Sequence, residues 1–147
     1  MELGFELSDV PRAASLLGDA AEQNLYAGIL AFRFVRTSRA TLAFTRSPRA
    51  ASASDDTARI VCTVETDALS SNGTAAAMDA FWAKLDAAGI PYTLHWGQKL
   101  RLDAAWVRRA YGPALDAWLA QRRTWLPTPQ ALRLFSSDVT AALGLST

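Results

Sequence analysis

The sequence predicts an α+β domain: an antiparallel sheet of about five strands, two helices on one of its faces, ferredoxin-like elements and a helical C-terminal tail. Three observations predict this class. Short segments in the first two thirds of the chain alternate polar and apolar residues or are rich in bulky apolar ones, as strands are. Longer segments between them carry apolar residues at helical spacing, and only helical patterns follow Asp103. The 147 residues suffice for one core, so we expect a single domain over 1–147.

The strands are predicted from their apolar residues. Residues 2–7 alternate polar and apolar side chains, and residues 26–36 place Leu30, Phe32 and Phe34 on one face. Short links join the middle strands, which favours antiparallel pairing between them. The expected strands cover residues 2–7, 26–36, 41–46, 59–66 and 91–96.

The helices are predicted from capping and breaking residues. The first helix follows the capping pair Ser8-Asp9, and the second opens at residues 70–73. Asp103 is expected to cap a long helical stretch, which Gly112-Pro113 should divide. Residues 137–143 are expected to close the chain as a short helix.

Composition and charge exclude several classes of function. The chain has 15 Lys and Arg against 14 Asp and Glu, so it lacks the basic excess of proteins that bind nucleic acid or anionic membranes. Cys62 is the only cysteine and His95 the only histidine, which excludes an intramolecular disulfide, a thiolate metal cluster and a second histidine ligand. No apolar run reaches the roughly 20 residues of a membrane span, and Glu2 and Glu6 replace the basic head of a signal peptide. We therefore expect a cytoplasmic protein without a bound metal.

Polar residues inside the predicted strands are the main candidates for a site, because a buried polar group must be hydrogen-bonded or functional. Strand alternation places them opposite the large apolar side chains, so that one sheet face carries a cation, a carboxylate and an imidazole. Two interpretations stay open. The face is simply solvated, as in many antiparallel sheets, or it covers a ligand whose hydroxyl or carboxylate groups it orients. The residues are Arg33, Thr63, Glu65, Thr93 and His95.

Conventional catalytic motifs do not occur in the sequence. A P-loop, a dinucleotide-binding Gly-x-Gly-x-x-Gly and a Gly-x-Ser-x-Gly nucleophile elbow are all missing. A triad on Ser or Cys would have His95 as its only imidazole base. The sequence therefore offers few of the catalytic or metal-binding residues that an independent hydrolase or metalloenzyme needs.

A set of motifs nevertheless follows a recognisable order along nearly the whole chain. They are a Gly-x-x-x-x-Arg-Phe strand in 26–36, the segments 38–44 and 62–65, the run His95-Trp96-Gly97-Gln98, and the segments 107–112 and 118–123. This order resembles the FAD-linked oxidases of the aldonolactone and alditol oxidase branch of the vanillyl-alcohol oxidase superfamily. The run at His95 is similar to the His-Trp-Gly-Lys signature near the end of those enzymes.

The resemblance implies a role and a partner domain. In that family a separate domain binds FAD, and the domain similar to this chain covers the flavin and forms much of the pocket for a sugar lactone, polyol or other alcohol. FAD is thus the implied cofactor, held mainly outside these residues. The resemblance assigns catalysis to His95, substrate binding to Arg33, Glu65, Thr63 and Thr93, and cofactor contacts to Gln98, Lys99 and Ser136.

Departures from the family pattern support an alternative function. Gln98 stands where the family has a lysine, Ala31 where the sugar-alcohol oxidases have a glutamate, and Ser136 where they have an asparagine. The alternative is a stand-alone, non-catalytic module that kept the cap fold and binds a ligand or a protein. The expected partners are an FAD-binding domain in cis or trans, a small hydroxylated substrate, or a second copy of the chain.

Overall fold

A computed structural model describes residues 1–49, 59–98 and 103–146 and confirms the α+β class. Within these ranges four strands form one sheet in the order β2-β3-β1-β4, with every neighbouring pair antiparallel. This is one strand fewer than the sequence pattern predicts. The strands are β1 Glu2–Glu6, β2 Gly28–Arg36, β3 Ile60–Ala68 and β4 Thr93–Leu94.

Helices connect the strands and form the C-terminal tail. Two begin at the expected caps: the Ser71 hydroxyl accepts the Thr74 backbone N–H at 3.0 Å, and the Asp103 carboxylate accepts the Trp106 N–H at 2.6 Å. Over the described ranges, no helix combines the length and apolar character needed to cross a membrane. The helices are α1 Val10–Gln23, α2 Asn72–Ala87, α3 Ala104–Trp125, α4 Pro129–Leu134 and α5 Asp138–Ala142.

The long helix α3 is divided at Gly112, as predicted. Gly112 has φ +48° and ψ −132°, far from helical values, and Pro113 has no backbone N–H to donate. The chain therefore forms two consecutive helical segments. The first buries Trp106 and Tyr111, and the second buries Leu115.

The order of elements gives the sheet its topology. The unit β1-α1-β2 brings two parallel strands to either side of β3, and the unit β3-α2-β4 brings two parallel strands to either side of β1. The two split βαβ units interlock, which is the ferredoxin-like arrangement that the sequence analysis expects in part. Because both crossovers carry their helix on the same side, one face of the sheet is left for other contacts.

The core lies between this helical layer and the sheet. Leu3, Phe5 and Val64 project from the strands and are at most 2% exposed, and Phe81 and Leu85 of α2 are fully buried. Burying each such side chain contributes about 1.5–3 kcal/mol. Cys62 belongs to the same buried set. Burial raises the pKa of its thiol, so the cysteine acts as a small apolar side chain.

Two of the expected strands differ from the structure. Residues 41–46 form turns instead of a strand, and they return across the sheet face opposite the helices. The alternation of Thr41-Leu42-Ala43-Phe44 is typical of a strand, but the carbonyls of this stretch are used by side chains of the sheet. The strand expected at 91–96 shortens to β4, after which only the N–H of His95 pairs with β1, through the Glu2 carbonyl.

Candidate functional site

The pairing register confirms that the polar residues of the strands share one face. Arg33 of β2 lies opposite Thr63 of β3, Thr63 opposite Gly4 of β1, and Gly4 opposite Thr93 of β4. Since directly paired residues point to the same side of a sheet, these residues form one row across all four strands.

The adjacent row on this face holds two carboxylates. Glu65 of β3 lies between Ala31 of β2 and Glu2 of β1. The strands thus bring together four of the residues expected from the sequence, namely Arg33, Thr63, Glu65 and Thr93, and they add Glu2.

We call Glu2, Arg33 and Glu65 the Arg33 cluster. The Arg33 guanidinium forms a hydrogen-bonded ion pair with the Glu65 carboxylate, and its Nη1 lies 3.8 Å from Oε1 of Glu2. Glu2 is only 5% exposed, and its Oε1 accepts no hydrogen bond from any of the described residues. The cluster therefore sets two carboxylates against one cation and leaves one buried acceptor without a donor.

The Arg33 cluster contributes little to the stability of the fold. The Arg33 side chain is 55% exposed, so solvent screens its ion pairs to about 0–1 kcal/mol. Burying the Glu2 carboxylate without a full set of donors costs free energy. A buried acceptor without a donor needs an explanation, and a bound ligand that donates a hydrogen bond to it is one.

Thr63 and Thr93 lie beneath another part of the chain. Residues 37–49, which we call the covering segment, cross the sheet at this point. The Thr93 hydroxyl donates a hydrogen bond to the Phe44 carbonyl, and Thr63 is 1% exposed. A ligand on this face reaches neither threonine unless the covering segment moves. Alternation identified the face of these residues but gave no signal of what covers them.

The covering segment is fastened at several points. The Ser38 N–H donates to the Thr45 carbonyl at 3.1 Å, which closes the segment on itself. The Trp96 indole N–H donates to the Leu42 carbonyl at 2.7 Å, and Arg49 pairs with Asp9 at 2.7 Å. The Ser47 hydroxyl also donates to the Glu6 carboxylate. These contacts hold the segment against the sheet near its two short strands, β1 and β4.

His95 lies where β4 ends and is half-buried. Its ring packs edge-on against Phe44, with centroids 4.8 Å apart, and its Nδ1 accepts the Gly97 backbone N–H at 3.2 Å. In the neutral ring this leaves the proton on Nε2. No described residue forms a hydrogen bond with Nε2, so its proton is available as a donor. The catalytic role of His95 stays a prediction.

Two of the three residues expected to contact FAD, Gln98 and Ser136, form their hydrogen bonds in different parts of the chain. The Gln98 backbone N–H donates to the His95 carbonyl at 3.3 Å, whereas Lys99 lies outside the described residues. The Ser136 hydroxyl accepts from Nη2 of Arg122 at 2.9 Å and donates to the Leu132 carbonyl at 2.5 Å, both in the helical tail. Ser136 is thus engaged by helices α3 and α4 and not by the sheet.

The described residues do not fit a whole FAD molecule. Its pyrophosphate needs a glycine-rich turn that leads into a helix N-terminus, and the sequence has no such motif. Gln98 and Ser136 share no contact that would form a flavin pocket. The residues of the Arg33 cluster and His95 do suit a hydroxylated ligand.

Sequence reasoning missed two members of the site. Glu2 carries the same signal as Glu65, a carboxylate alternating with the apolar residues Leu3 and Phe5, and could have been found in the same way. Phe44 carries no such signal, because its place beside His95 depends on the path of the covering segment.

Two cavities lie away from the polar face. A groove of about 540 Å³ is lined by both aromatic and charged residues, including Tyr92, Trp106, Arg49 and Arg109. A smaller, apolar cavity of about 360 Å³ lies in the helical tail beside Trp118 and Phe135. Neither contains a residue that the sequence analysis assigned to the site.

Comparison with known proteins gave no relative. No family model, no curated protein and no solved structure matches the chain. The resemblance to FAD-linked oxidases therefore stays a prediction, and function has to be argued from the site itself.

Proposed function

We propose that this chain is the substrate-side domain of a flavin-dependent oxidoreductase that oxidises a sugar lactone, a polyol or another alcohol. FAD belongs to a separate domain, in cis or in trans. The observation that carries the proposal is that the Arg33 cluster and His95 share the sheet face opposite the helices, with the His95 backbone N–H bonded to the Glu2 carbonyl. The motif order described above supports the same assignment.

The chemistry of the site suits a ligand with several hydroxyl groups. A hydroxyl both donates and accepts hydrogen bonds. The orphaned Oε1 of Glu2 needs a donor, while the half-exposed guanidinium of Arg33 and the Nε2 of His95 provide donors. A polyol or lactone satisfies all three groups, whereas an apolar ligand would leave Glu2 unpaired.

The chain contributes orientation, and the flavin supplies the redox step when it is bound by its own domain. Arg33 and Glu65 fix the position of the substrate hydroxyls. His95 contacts the substrate oxygen from Nε2, with its ring held by Phe44 and Gly97. The hydroxyl proton released on oxidation passes to the unpaired Oε1 of Glu2. We place this activity in the cytoplasm, as the sequence analysis expects.

The alternative, a non-catalytic binding module, is favoured by two observations. Thr63 and Thr93 are closed off by the covering segment. The Ser136 hydroxyl is already hydrogen-bonded within the helical tail, so its presence in the chain is explained without a flavin contact. On this alternative the Arg33 cluster binds a hydroxylated ligand without transforming it.

The experiment combines a binding and a redox measurement. The isolated chain is titrated with a panel of sugar lactones and polyols while the amide resonances of β1 and β3 are followed by NMR. Arg33→Gln should weaken binding at least about tenfold, which is the effect of losing one charge-assisted hydrogen bond. The matched control is Arg36→Gln, on the same strand but facing the helical side.

The redox measurement separates the two functions. The chain is reconstituted with the FAD-binding domain encoded beside it or joined to it, and bleaching of the flavin absorbance is followed without oxygen. Bleaching by a compound that binds the isolated chain supports the oxidoreductase. Binding without bleaching supports the module, and no binding to the polar face rejects both.

A further inference from the structure

The outer edge of β2 is an unpaired and unusually apolar strand edge. β2 spans nine residues, and among the described residues no strand pairs with its outer side. Phe34 is 65% exposed and Phe32 39%, both on the helical side of the sheet but beyond the helices. Edge strands are normally protected by proline, by charged residues such as lysine, or by short length. β2 has no proline or lysine and is as long as β3, and its only charged residues are Arg33 and Arg36.

We infer that two copies of the chain pair through β2 in an antiparallel manner, forming one eight-stranded sheet. A two-fold axis perpendicular to the sheet relates such strands, so both helical layers lie on the same side. The exposed aromatic residues of the two copies then meet in the gap between the helical layers.

The length of β2 selects one register for this pairing. If Phe32 lies on the two-fold axis, Gly28 of one copy pairs with Arg36 of the other, and all nine residues take part. Any shift of the axis along the strand leaves residues unpaired at both ends. In this register Phe32 faces Phe32 of the second copy, and Phe34 faces Leu30.

Charge selects the same register. With Phe32 on the axis, Arg33 of one copy lies opposite Ala31 of the other. Within the second copy, Ala31 pairs across the sheet with Glu65, and Glu65 pairs with Glu2. Because the side chain of Ala31 is small, the guanidinium can extend over it toward the two carboxylates of the second copy. In that cluster two negative charges face one positive charge, so a second guanidinium is attracted. An axis at Arg33 would instead set the two guanidinium groups against each other, which is unfavourable.

The pairing therefore makes the polar faces of the two copies continuous. Each Arg33 cluster gains a guanidinium from the second copy, which lies in the row of the two carboxylates. The pairing requires neither a flavin nor a substrate, because the strand edge, the exposed aromatic residues and the charge pattern belong to this chain alone.

The decisive experiment is cysteine crosslinking of the 147-residue chain in a Cys62→Ala background. That background is needed because Phe34 pairs with Cys62 on the same face and a cysteine there would react within the chain. Phe32→Cys places two thiols opposite each other on the axis, within disulfide reach. Phe34→Cys is the matched control: its two copies stand about 13 Å apart along the strands, four residues at about 3.3 Å each.

Under mild oxidation, Phe32→Cys should form covalent dimers at least about tenfold faster than Phe34→Cys, because only the former meets disulfide geometry. If exposure alone set the crosslinking rate, Phe34→Cys would react faster, since Phe34 is the more exposed residue. Equal rates, or faster crosslinking of Phe34→Cys, overturn the register.

A second measurement needs no engineered cysteine. Sedimentation equilibrium should find the unmodified chain as a dimer, and Phe34→Glu should raise its dissociation constant at least about tenfold by placing a carboxylate opposite Leu30. Leu134→Glu, at a more exposed apolar position on α4, is the control and should leave the dimer intact. A monomeric unmodified chain, or a dimer that resists Phe34→Glu, overturns the inference and leaves the edge to another partner.

Discussion

The indole ring of Trp96 stacks on the phenol ring of Tyr111, with centroids 5.9 Å apart and planes inclined by 23°. The same indole donates its N–H to the Leu42 carbonyl at 2.7 Å. Trp96 thus connects helix α3 on one side with the covering segment on the other. The residue following His95 therefore determines how firmly the polar face is closed, and its effect can be measured.

Trp96→Phe should loosen the covering segment while keeping an aromatic ring against Tyr111. Removing the indole N–H leaves the Leu42 carbonyl without its donor, which should lower the free energy of unfolding by about 1–3 kcal/mol in urea denaturation. Hydrogen exchange should accelerate at the Ser38 N–H, which closes the segment onto Thr45.

The control for this prediction is Trp118→Phe. Trp118 packs against the core, and its indole forms no hydrogen bond with a described residue. This change should leave exchange in residues 37–49 unaltered. Equal acceleration in both variants would show that the covering segment responds to general destabilisation and not to the loss of its anchor.

Because of Tyr111, we expect the stability of the fold to change with pH in the alkaline range. Burial raises the pKa of its hydroxyl to about 12, despite the opposing effects of the Trp96 side chain and the positive charge of Arg46. In the unfolded chain a tyrosine titrates near pH 10. Since the folded chain holds the proton more tightly, the unfolding free energy should fall as pH rises from about 10 to about 12.

Tyr111→Phe should remove this part of the pH dependence. The buried hydroxyl forms no hydrogen bond with the part of the chain that the structure describes, so its loss should leave stability at neutral pH unchanged or raise it by up to about 1 kcal/mol. Urea denaturation at pH 8, 10 and 11 measures both effects. If the variant loses stability with pH as steeply as the parent chain, another group is responsible for the alkaline sensitivity.

The sequence pattern predicts the face of each strand residue but not the contacts above that face. Alternation along β2 and β3 placed Arg33, Thr63 and Glu65 together, because the side-chain period of a strand is a geometric constant. Residues 41–46 share that periodicity and yet form no strand. Their carbonyls are engaged by Thr93 and Trp96, which lie about fifty residues later in the chain, and no local pattern encodes such a long-range contact.

Residues that cap or break helices predicted the helix boundaries more accurately than alternation predicted the strands, because their effects are local. Ser71, Asp103 and Gly112 start or divide helices where the sequence indicates. The flavin contact expected of Ser136 stays a prediction; within the tail its hydroxyl is hydrogen-bonded to Arg122 and Leu132, which the motif gave no sign of.

Gly112 is required by backbone conformation alone. A Cβ at this position would meet no atom within 4 Å, but φ +48° with ψ −132° is a region that other residues rarely adopt. Gly112→Ala should lower the unfolding free energy by about 1–3 kcal/mol. Gly89→Ala is the comparison: its φ of +64° also has open space around it, and a left-handed helical residue costs about 1–2 kcal/mol. A smaller loss for Gly112→Ala than for Gly89→Ala would mean that α3 straightens through the kink.

Gly4 is required by close approach and not by backbone conformation. A Cβ on Gly4 would lie 2.7 Å from the Phe44 carbonyl oxygen and even closer to the Thr93 hydroxyl. Gly4→Ala must therefore push the covering segment off the sheet, at a cost of about 1–3 kcal/mol in unfolding free energy. Thr93 would lose its acceptor, and amide exchange in 37–49 should accelerate.

Gly18→Ala distinguishes this steric effect from the general effect of replacing glycine. Gly18 lies inside α1 with nothing within 4 Å of a Cβ, so alanine there should raise stability by about 0.5–1 kcal/mol. If Gly4→Ala keeps the exchange protection of the covering segment, the segment is not in contact with the sheet at Gly4. If it loses that protection and also binds polyols more tightly, Thr63 and Thr93 belong to the ligand site, and the covering segment is what closes it.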